Sequence, residues 1–226
     1  MFLHSPLDFP NLPDESTPSG RFYTTPEGEK YPSVTTVLSA TDDGKALDAW
    51  RNRIGHAEAA KITQQAANRG TQIHKIFEDY LGNCLDIDSY NPIQWQKFRQ
   101  SQKTLDEHVD LVYNIEFPVY SDRLKIAGRC DLLCKWDGIN SVVDHKTSNK
   151  PKREEWIQKY FIQKTLYAMM VFEITGLKVP QIVTHISVES ETYPQIFVKR
   201  TEDYIPLALK TVRSYYANRN ATASVH

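Results

Sequence analysis

Two carboxylates and one lysine near the middle of the chain have types and spacing suited to chemistry on a phosphate group. Asp144 and Lys146 follow a short apolar run, and in an extended strand their side chains project from the same face. Asp131 lies thirteen residues before Asp144, and Asp137 followed by Gly138 is typical of a hairpin turn between them. Folding of this hairpin would bring the two carboxylates together. Such a group suits a hard divalent cation, with the lysine beside a scissile phosphate.

The elements around Asp144 and Lys146 decide how these residues are interpreted, because Asp-x-Lys is also common at solvated strand ends. A helix is predicted over residues 154–175, closed by Gly176. On it Tyr160, Gln163 and Tyr167 recur at helical spacing and share one face. The same spacing is typical of an amphipathic helix with Tyr167 packed in a core, so the helix alone does not identify a site.

Another helix is predicted around residues 70–81. His74 and Glu78 lie one turn apart on it, beside an apolar face. The apolar face is formed by Ile73, Ile76, Phe77, Tyr80 and Leu81. A single histidine on a helix is most often a structural or surface residue, so its chemistry depends on what it packs against.

The order of these motifs resembles the PD-(D/E)XK nuclease superfamily. In that pattern the first acid is Asp131, the second is Asp144 and the lysine is Lys146. Gln163 and Tyr167 form a Gln-x-x-x-Tyr element that resembles the RecB-type branch of the superfamily.

Two motifs nearer the N-terminus narrow the resemblance. Gly70 and His74 match the Gly-x-x-x-His helix of RecB-type nucleases, in which the histidine lies against the metal site. Pro-Ser-Val-Thr at residues 32–35 resembles the opening motif of the mitochondrial genome maintenance exonucleases and their phage and bacterial relatives. Four elements therefore follow one another in the expected order, over about residues 31–167.

The resemblance implies a metal site. The ligands implied for Mg²⁺ or Mn²⁺ are His74, Asp131, Asp144 and the backbone carbonyl of His145. The histidine nitrogen would favour Mn²⁺. Glu116, on the strand before the hairpin, could join the acidic group, but a structural role is the preferred interpretation.

The resemblance also implies three catalytic side chains besides Asp131 and Asp144. Lys146 would orient the attacking hydroxide or stabilise negative charge on the phosphate. Gln163 and Tyr167 would position the substrate strand or Lys146.

A basic segment surrounds the predicted lysine and continues into the following helix. Residues 146–164 contain six lysines or arginines and two acids, which predicts contacts with DNA phosphates, and aromatic side chains there could stack on unpaired bases. The residues assigned to nucleic-acid binding, from this segment and from the opening motif, are Ser33, Thr35, Lys150, Lys152, Arg153 and Tyr160. The alternative interpretation is a charged helix surface above a buried apolar side.

The function implied by the resemblance is that of a metal-dependent DNA exonuclease that prefers single-stranded ends, in DNA replication, repair or recombination. The residues themselves determine neither polarity nor strandedness. Three alternatives stay open: an exonuclease that resects duplex ends, an endonuclease of the same superfamily, and a non-catalytic nucleic-acid-binding module on this fold. A chain without affinity for DNA or metal would instead be a structural protein.

Length and composition predict the fold. The chain has 226 residues, 40% of them hydrophobic, which predicts one domain over residues 29–226 with a substantial core. Residues 1–28 contain five prolines and are predicted to form an extended arm. Predicted helices before and between the strands of a hairpin-rich sheet indicate the α/β class, with a mixed central β-sheet flanked by helices, and the resemblance implies a restriction-endonuclease-like core. Strands are predicted at 111–120, 126–136, 141–146, 181–188 and 195–199, and further helices at 44–68, 92–110 and 203–218.

The expected location is the cytoplasm of a bacterial cell or of a phage-infected host, without secretion. The first 20 residues contain no lysine or arginine, unlike a mitochondrial presequence, and lack a signal-peptide core. No run of about 18 apolar residues predicts a membrane span. Cys84, Cys130 and Cys134 fit a reducing compartment and are too few for a four-thiolate iron–sulfur cluster.

Overall fold

The structure, a computed structural model, describes residues 1–223, without the side chains at positions 46, 93, 222 and 223. The last three residues of the predicted domain, 224–226, lie outside the described residues. In chain order the elements are β1 (Asp14–Thr17), β2 (Gly20–Thr24), β3 (Lys30–Pro32), α1 (Val34–Ala40), α2 (Lys45–Ile54), α3 (His56–Leu81), α4 (Pro92–His108), β4 (Val109–Ser121), β5 (Ile126–Trp136), β6 (Ile139–Ser148), α5 (Gln158–Thr175), β7 (Gln181–Val188), β8 (Gln195–Arg200) and α6 (Thr201–Ala223). Among the described residues, no helix combines the length and the apolar character that a membrane span requires.

The central sheet has five strands in the order β4-β5-β6-β7-β8. Neighbouring strands are antiparallel except β6 and β7, which are parallel. Parallel neighbours cannot be joined by a tight turn, and α5 lies in the crossover between them. The prediction of a mixed central sheet flanked by helices is confirmed.

The sheet opens at the point where β5 and β6 stop pairing. The turn between these strands, at the predicted Asp-Gly pair, has positive φ at both residues. Pairing runs from this turn as far as Leu132 and Val143. Beyond that point β6 continues against β7, whereas the first half of β5 pairs with β4 and, at Ala127, forms an isolated bridge with Ser33. Asp131 and Asp144 are the first residues beyond the last pair, so both lie at the opening.

Two hydrophobic cores cover the two faces of the sheet. Helices α1, α5 and α6 pack on the face that contains Val142, and α3 and α4 pack on the face that contains Val143. Successive residues of a strand point to opposite faces. Asp144 is therefore on the α5 side, and His145 is on the α3 side.

Four predicted helices differ from the structure. The helix predicted over residues 44–68 is interrupted at Gly55, whose φ of 88° and ψ of 143° lie outside the helical region. Helix α3 then runs unbroken through the segment predicted around residues 70–81. The helix predicted from residue 154 begins at Gln158, because Glu154–Trp156 forms a 3₁₀ turn. Helix α6 extends beyond its predicted range at both ends.

The prediction that residues 1–28 form an extended arm is wrong, because part of this segment packs as a small sheet. Strands β1 and β2 pair with each other, and β2 pairs with β3, in a separate antiparallel sheet of three strands. Leu12 and Tyr23 are 1% exposed and pack with Tyr31 and Ala127. Apolar side chains between the prolines supply this small core, whereas the proline content indicated only an irregular backbone. The assignment of residues 29–226 to one domain stays a prediction.

Candidate active site

Three acidic side chains form a row across the opening in the sheet. The pairs that flank Glu116 in the register of β4 and β5 place it opposite Asp131. Asp131 directly precedes the last β5 residue paired with β6, and Asp144 directly follows the last β6 residue paired with β5. The register therefore brings Asp131 and Asp144 together, as the predicted hairpin required, and adds Glu116 to them.

His74, on α3, completes a group of three potential metal ligands with Glu116 and Asp131. Its Nδ1 atom lies 3.6 Å from Oε1 of Glu116 and 3.5 Å from Oδ2 of Asp131. One potential ligand atom from each residue lies within 4.8 Å of the others, and all three side chains are partly exposed. A nitrogen and carboxylate oxygens suit a transition-metal dication such as Mn²⁺, and the oxygens also suit Mg²⁺.

The pKa values of this group indicate crowded negative charge. Burial and the charge of Asp144 raise the pKa of Asp131 to about 7. Burial lowers the pKa of His74, but its interaction with Glu116 and the charge of Asp131 outweigh burial and raise it overall. The backbone N–H of His145 donates a hydrogen bond to Oδ2 of Asp131 at 2.9 Å, which orients that carboxylate. A cation bound here would relieve the crowding.

Asp144 has different surroundings, because two lysines contact it. Nζ of Lys146 donates a hydrogen bond to Oδ1 at 2.7 Å and lies 2.6 Å from Oδ2. Nζ of Lys164 lies 3.8 Å from Oδ2. Burial would raise the pKa of Asp144, but the two ammonium groups hold it below its ordinary value. The shared face of Asp144 and Lys146 is as predicted, while the role of Asp144 as a metal ligand stays a prediction.

The His145 side chain lies on the opposite face of the sheet from Asp144. The centroid of its ring is 4.4 Å from that of Phe77 and 5.1 Å from that of His185. Burial lowers the pKa of His145 well below its ordinary value, so the imidazole is neutral. The ring is therefore part of the core. The predicted metal contact concerns the backbone carbonyl of His145 and stays a prediction.

Gln163 and Tyr167 meet on the face of α5 that borders the opening. Both are buried, and Nε2 of Gln163 donates a hydrogen bond to the Tyr167 hydroxyl at 3.1 Å. The tyrosine ring packs directly on Gly128 of β5, where an added Cβ would lie 2.6 Å from Cε1 of the ring. Glycine is therefore required for this close approach. The shared helix face is as predicted, and a role in positioning substrate stays a prediction.

A polar pocket of about 190 Å³ opens beside the acidic group. Gln163 and Tyr167 line it from α5, and Arg21, Ser33 and Thr35 line it from the N-terminal region. The Ser33 hydroxyl caps α1 by accepting a hydrogen bond from a backbone N–H of the first turn, and it lies 2.9 Å from the Thr35 hydroxyl. Two larger pockets, of about 480 and 650 Å³, contain none of the predicted site residues.

The predicted basic residues after β6 lie outside this polar pocket. Lys150 and Arg153 are exposed, and Lys152 is half-buried. Tyr160 lies closer to the site, with the centroid of its ring 5.5 Å from Nζ of Lys146. Contact of these four residues with nucleic acid stays a prediction.

Four residues at this site were not assigned to it from the sequence. Glu116 could have been found from the sequence, because it is an acidic residue on the strand before the hairpin. In the structure its φ is 47°, which is rare for a residue other than glycine. Arg21 and Arg129 also line the pocket, and Nη1 of Arg129 donates to the backbone carbonyl of Glu116 at 2.7 Å. Lys164 belongs to the segment interpreted as a basic surface, but it is fully buried, which lowers its pKa to about 8.

Solved structures that are similar to this chain share little sequence identity with it. A candidate exonuclease from Eubacterium rectale has a TM-score of 0.47 and 13% identity, over 66% of this chain and 65% of that protein. The protein SSO0001 has a TM-score of 0.45 and 13% identity, over 83% of this chain and 75% of that protein.

Sequence comparison gives a relative with a named activity. No protein-family model matches the chain. Mitochondrial genome maintenance exonuclease 1 of Mus musculus is 27% identical to it over 128 residues, which is 54% of this chain. The matched segment spans 38% of the length of the mouse protein. The chain is thus similar in sequence, over about half of its length, to a mitochondrial genome maintenance exonuclease.

Proposed function

We propose that the chain is a DNA nuclease of the PD-(D/E)XK superfamily, in its RecB-type branch, with a restriction-endonuclease-like core. The observation that carries this proposal is that two arrangements meet at one opening in the sheet. The first is the group of His74, Glu116 and Asp131, and the second is the ion pair of Asp144 with Lys146. The sequence similarity to an exonuclease supports the proposal independently.

The donor set supports Mg²⁺ or Mn²⁺ as the cofactor. His74, Glu116 and Asp131 would hold the ion, and Asp144 and the His145 carbonyl are further proposed ligands. A bound dication supplies charge that polarises the phosphate and lowers the pKa of a coordinated water. The raised pKa of Asp131 fits this assignment, because a metal ion competes with the proton for that carboxylate.

The chain's own residues would bind and orient the substrate. The Lys146 side chain is 23% exposed, so its ammonium can turn from Asp144 to a phosphate at the opening and stabilise negative charge there. The hydrogen bond between Gln163 and Tyr167 fixes two side chains at the pocket wall, where they would position a nucleic-acid strand. Arg21 and Arg129, on the same pocket, supply positive charge for the neighbouring phosphates.

The proposed substrate is DNA with free ends, preferentially single-stranded. This part of the proposal comes from the motifs shared with mitochondrial genome maintenance exonucleases and from the similarity to the mouse protein. We further propose work in replication, repair or recombination, in the cytoplasm of a bacterial or phage-infected cell.

The test is a cleavage assay on single-stranded and duplex oligonucleotides, labelled separately at each end. Wild-type protein is compared with Lys146→Ala in Mg²⁺, Mn²⁺ and EDTA. We expect digestion that requires the metal and falls at least about a hundredfold in the variant, because a charge that stabilises the reacting phosphate is removed. Lys103→Ala is the control, since Lys103 is exposed on α4 and pairs only with Glu107 among the ion pairs of the described residues.

The label pattern separates the alternatives. Faster digestion of duplex ends would favour a resecting exonuclease, and internal cuts would favour an endonuclease. Binding of DNA without cleavage under every metal condition would favour the non-catalytic binding module. Digestion that survives Lys146→Ala would place the active site elsewhere.

A further inference from the structure

Lys164 is a buried cation that takes no part in the proposed reaction as described so far. It lies on α5 directly after Gln163 and is 0% exposed. Among residues 1–223 its ammonium group has no hydrogen-bond partner, and its ion-pair contact is with Oδ2 of Asp144 at 3.8 Å. The centroids of the Tyr160 and Phe161 rings each lie 5.8 Å from Nζ. The ammonium is therefore buried beside two aromatic rings and one carboxylate.

Packing alone does not account for a lysine at this position. Methionine has a similar length and would fill the space without the desolvation of a charge. Buried ion pairs are often replaceable by apolar residues without loss of stability. What Lys164 adds to the core is therefore a positive charge next to Asp144.

The two lysines that contact Asp144 differ in what they can reach. The Lys146 side chain is 23% exposed, and the Lys164 side chain is 0% exposed. Only Lys146 can turn toward a substrate at the opening. Asp144 is itself 1% exposed. Among the described residues, the lysines in contact with it are Lys146 and Lys164. If Lys164 were absent, the departure of Lys146 would leave a buried carboxylate without a lysine beside it.

We propose that Lys164 is a positioning residue that neutralises Asp144 while Lys146 leaves this carboxylate for the substrate phosphate. The inference rests on the proposed nuclease function and adds a residue to the same site. Lys164 acts through Asp144 and touches neither the substrate nor the metal. Its charge lowers the barrier to moving Lys146, because the carboxylate left behind is still paired.

The contact between Lys164 and Asp144 can be measured without catalysis. Urea unfolding in EDTA is recorded for wild type, Asp144→Asn, Lys164→Met and the double variant. We expect Asp144→Asn to unfold at lower urea than wild type, because it leaves Lys164 buried without a counter-ion. Adding Lys164→Met to Asp144→Asn should then raise the midpoint. Strictly additive effects of the two substitutions would overturn the proposed contact.

The role in the reaction is measured by kinetics on single-stranded DNA with Mn²⁺. We expect Lys164→Met to lower kcat about tenfold or more with little change in KM, because Lys146 is then held by Asp144. Lys164→Arg keeps the charge and should retain more activity than Lys164→Met. Lys103→Met is the control, an exposed lysine given the same substitution, and it should be fully active.

The outcomes separate this inference from the proposed function. Wild-type kcat in a folded Lys164→Met protein would overturn the inference and leave the nuclease proposal intact. Equal losses in Lys164→Met and Lys164→Arg would overturn it too, because the charge would then have no role. A wild-type chain that cleaves no DNA under any metal condition would contradict the proposed function and, with it, the role of Lys164.

Discussion

Asp131 and Asp144 are neighbours across the same opening in the sheet, yet they face opposite electrostatic surroundings. Asp131 faces His74 and Glu116, and its pKa is raised to about 7 by burial and by the charge of Asp144. Asp144 faces two lysines, which hold its pKa below its ordinary value despite burial. Both carboxylates are largely shielded from solvent, so the difference between their pKa values comes from the sign of the neighbouring charges.

The difference teaches that two carboxylates proposed as ligands of one metal can differ in how much compensating charge the chain itself supplies to each. The side of Asp131 has excess negative charge, which a dication would balance. The side of Asp144 is already balanced within the chain by Lys146 and Lys164. Substitutions on the two sides should therefore differ in their effects on stability and on metal binding.

The largest effect is expected from Asp144→Asn in metal-free protein. The substitution leaves a fully buried Lys164 without its counter-ion, so we expect the free energy of unfolding to fall by about 3 kcal/mol. Urea denaturation in EDTA measures this loss. Asp131→Asn is the matched control, and it should keep or gain stability because it removes charge from a crowded group. Equal losses in the two variants would mean that the surroundings do not differ as described.

On the side of Asp131, we expect His74→Ala and Glu116→Gln each to lower Mn²⁺-supported cleavage about a hundredfold, which corresponds to roughly 2.7 kcal/mol. The reason is that His74→Ala removes a nitrogen ligand and Glu116→Gln removes the negative charge of another ligand, in a group whose potential ligand atoms lie within 4.8 Å of one another. Steady-state kcat/KM over a range of Mn²⁺ concentrations measures the effect, and excess metal should restore part of it. Unchanged activity would remove the substituted residue from the metal site.

The two carboxylates should contribute to stability with opposite dependence on pH. The folded-state pKa of Asp131 is raised, so its contribution is present at low pH and is lost as pH rises toward about 7, by at most roughly 1.4 kcal/mol per pH unit. The pKa of Asp144 is lowered, so its contribution is lost only as pH falls through that lowered value.

Urea unfolding of metal-free protein between pH 4 and 6 checks the contribution of Asp131. This pH range lies below the ordinary pKa of His74. The raised pKa of His74 also lowers stability as pH rises, but it does so at higher pH. The slope of the unfolding free energy against pH should become less negative in Asp131→Asn than in wild type. Identical slopes in the two proteins would contradict the raised pKa of Asp131.

The smallest effect is expected from Tyr167→Phe, at the pocket wall on the side of Asp131. It removes the hydrogen bond with Gln163 and keeps the ring against Gly128, so we expect a loss of about 1 kcal/mol in unfolding free energy. Thermal unfolding measures it. Gly128→Ala makes a useful contrast, because a Cβ there collides with the ring and should cost more.

Much of the sheet could be predicted from the sequence, because its signals are local. The strands at 126–136 and 181–188 have the predicted bounds, and the Asp-Gly turn aligns Asp131 with Asp144 as expected. Alternation along each strand also placed Lys146 on the face of Asp144. These features depend on neighbours within a few residues and on one turn.

The remaining features depend on contacts between distant parts of the chain. Arg21 reaches the pocket only because the N-terminal strands pack against β5, and proline-rich sequence gives no signal of that packing. Lys164 is buried because α5 is covered on nearly all sides, so a count of local charge could not reveal its contact with Asp144. The break at Gly55 depends on a positive φ, which glycine permits but does not require.

Titration of Mn²⁺ into metal-free wild type, Asp131→Asn and Lys146→Met, followed by calorimetry, tests the central difference most directly. We expect much weaker binding by Asp131→Asn, because an anionic carboxylate is replaced by a neutral amide, and binding by Lys146→Met at least as tight as that of wild type, because a competing positive charge is removed. Binding by Asp131→Asn that equals wild type, or loss of binding in Lys146→Met, would contradict the assignment of the metal to the side of Asp131.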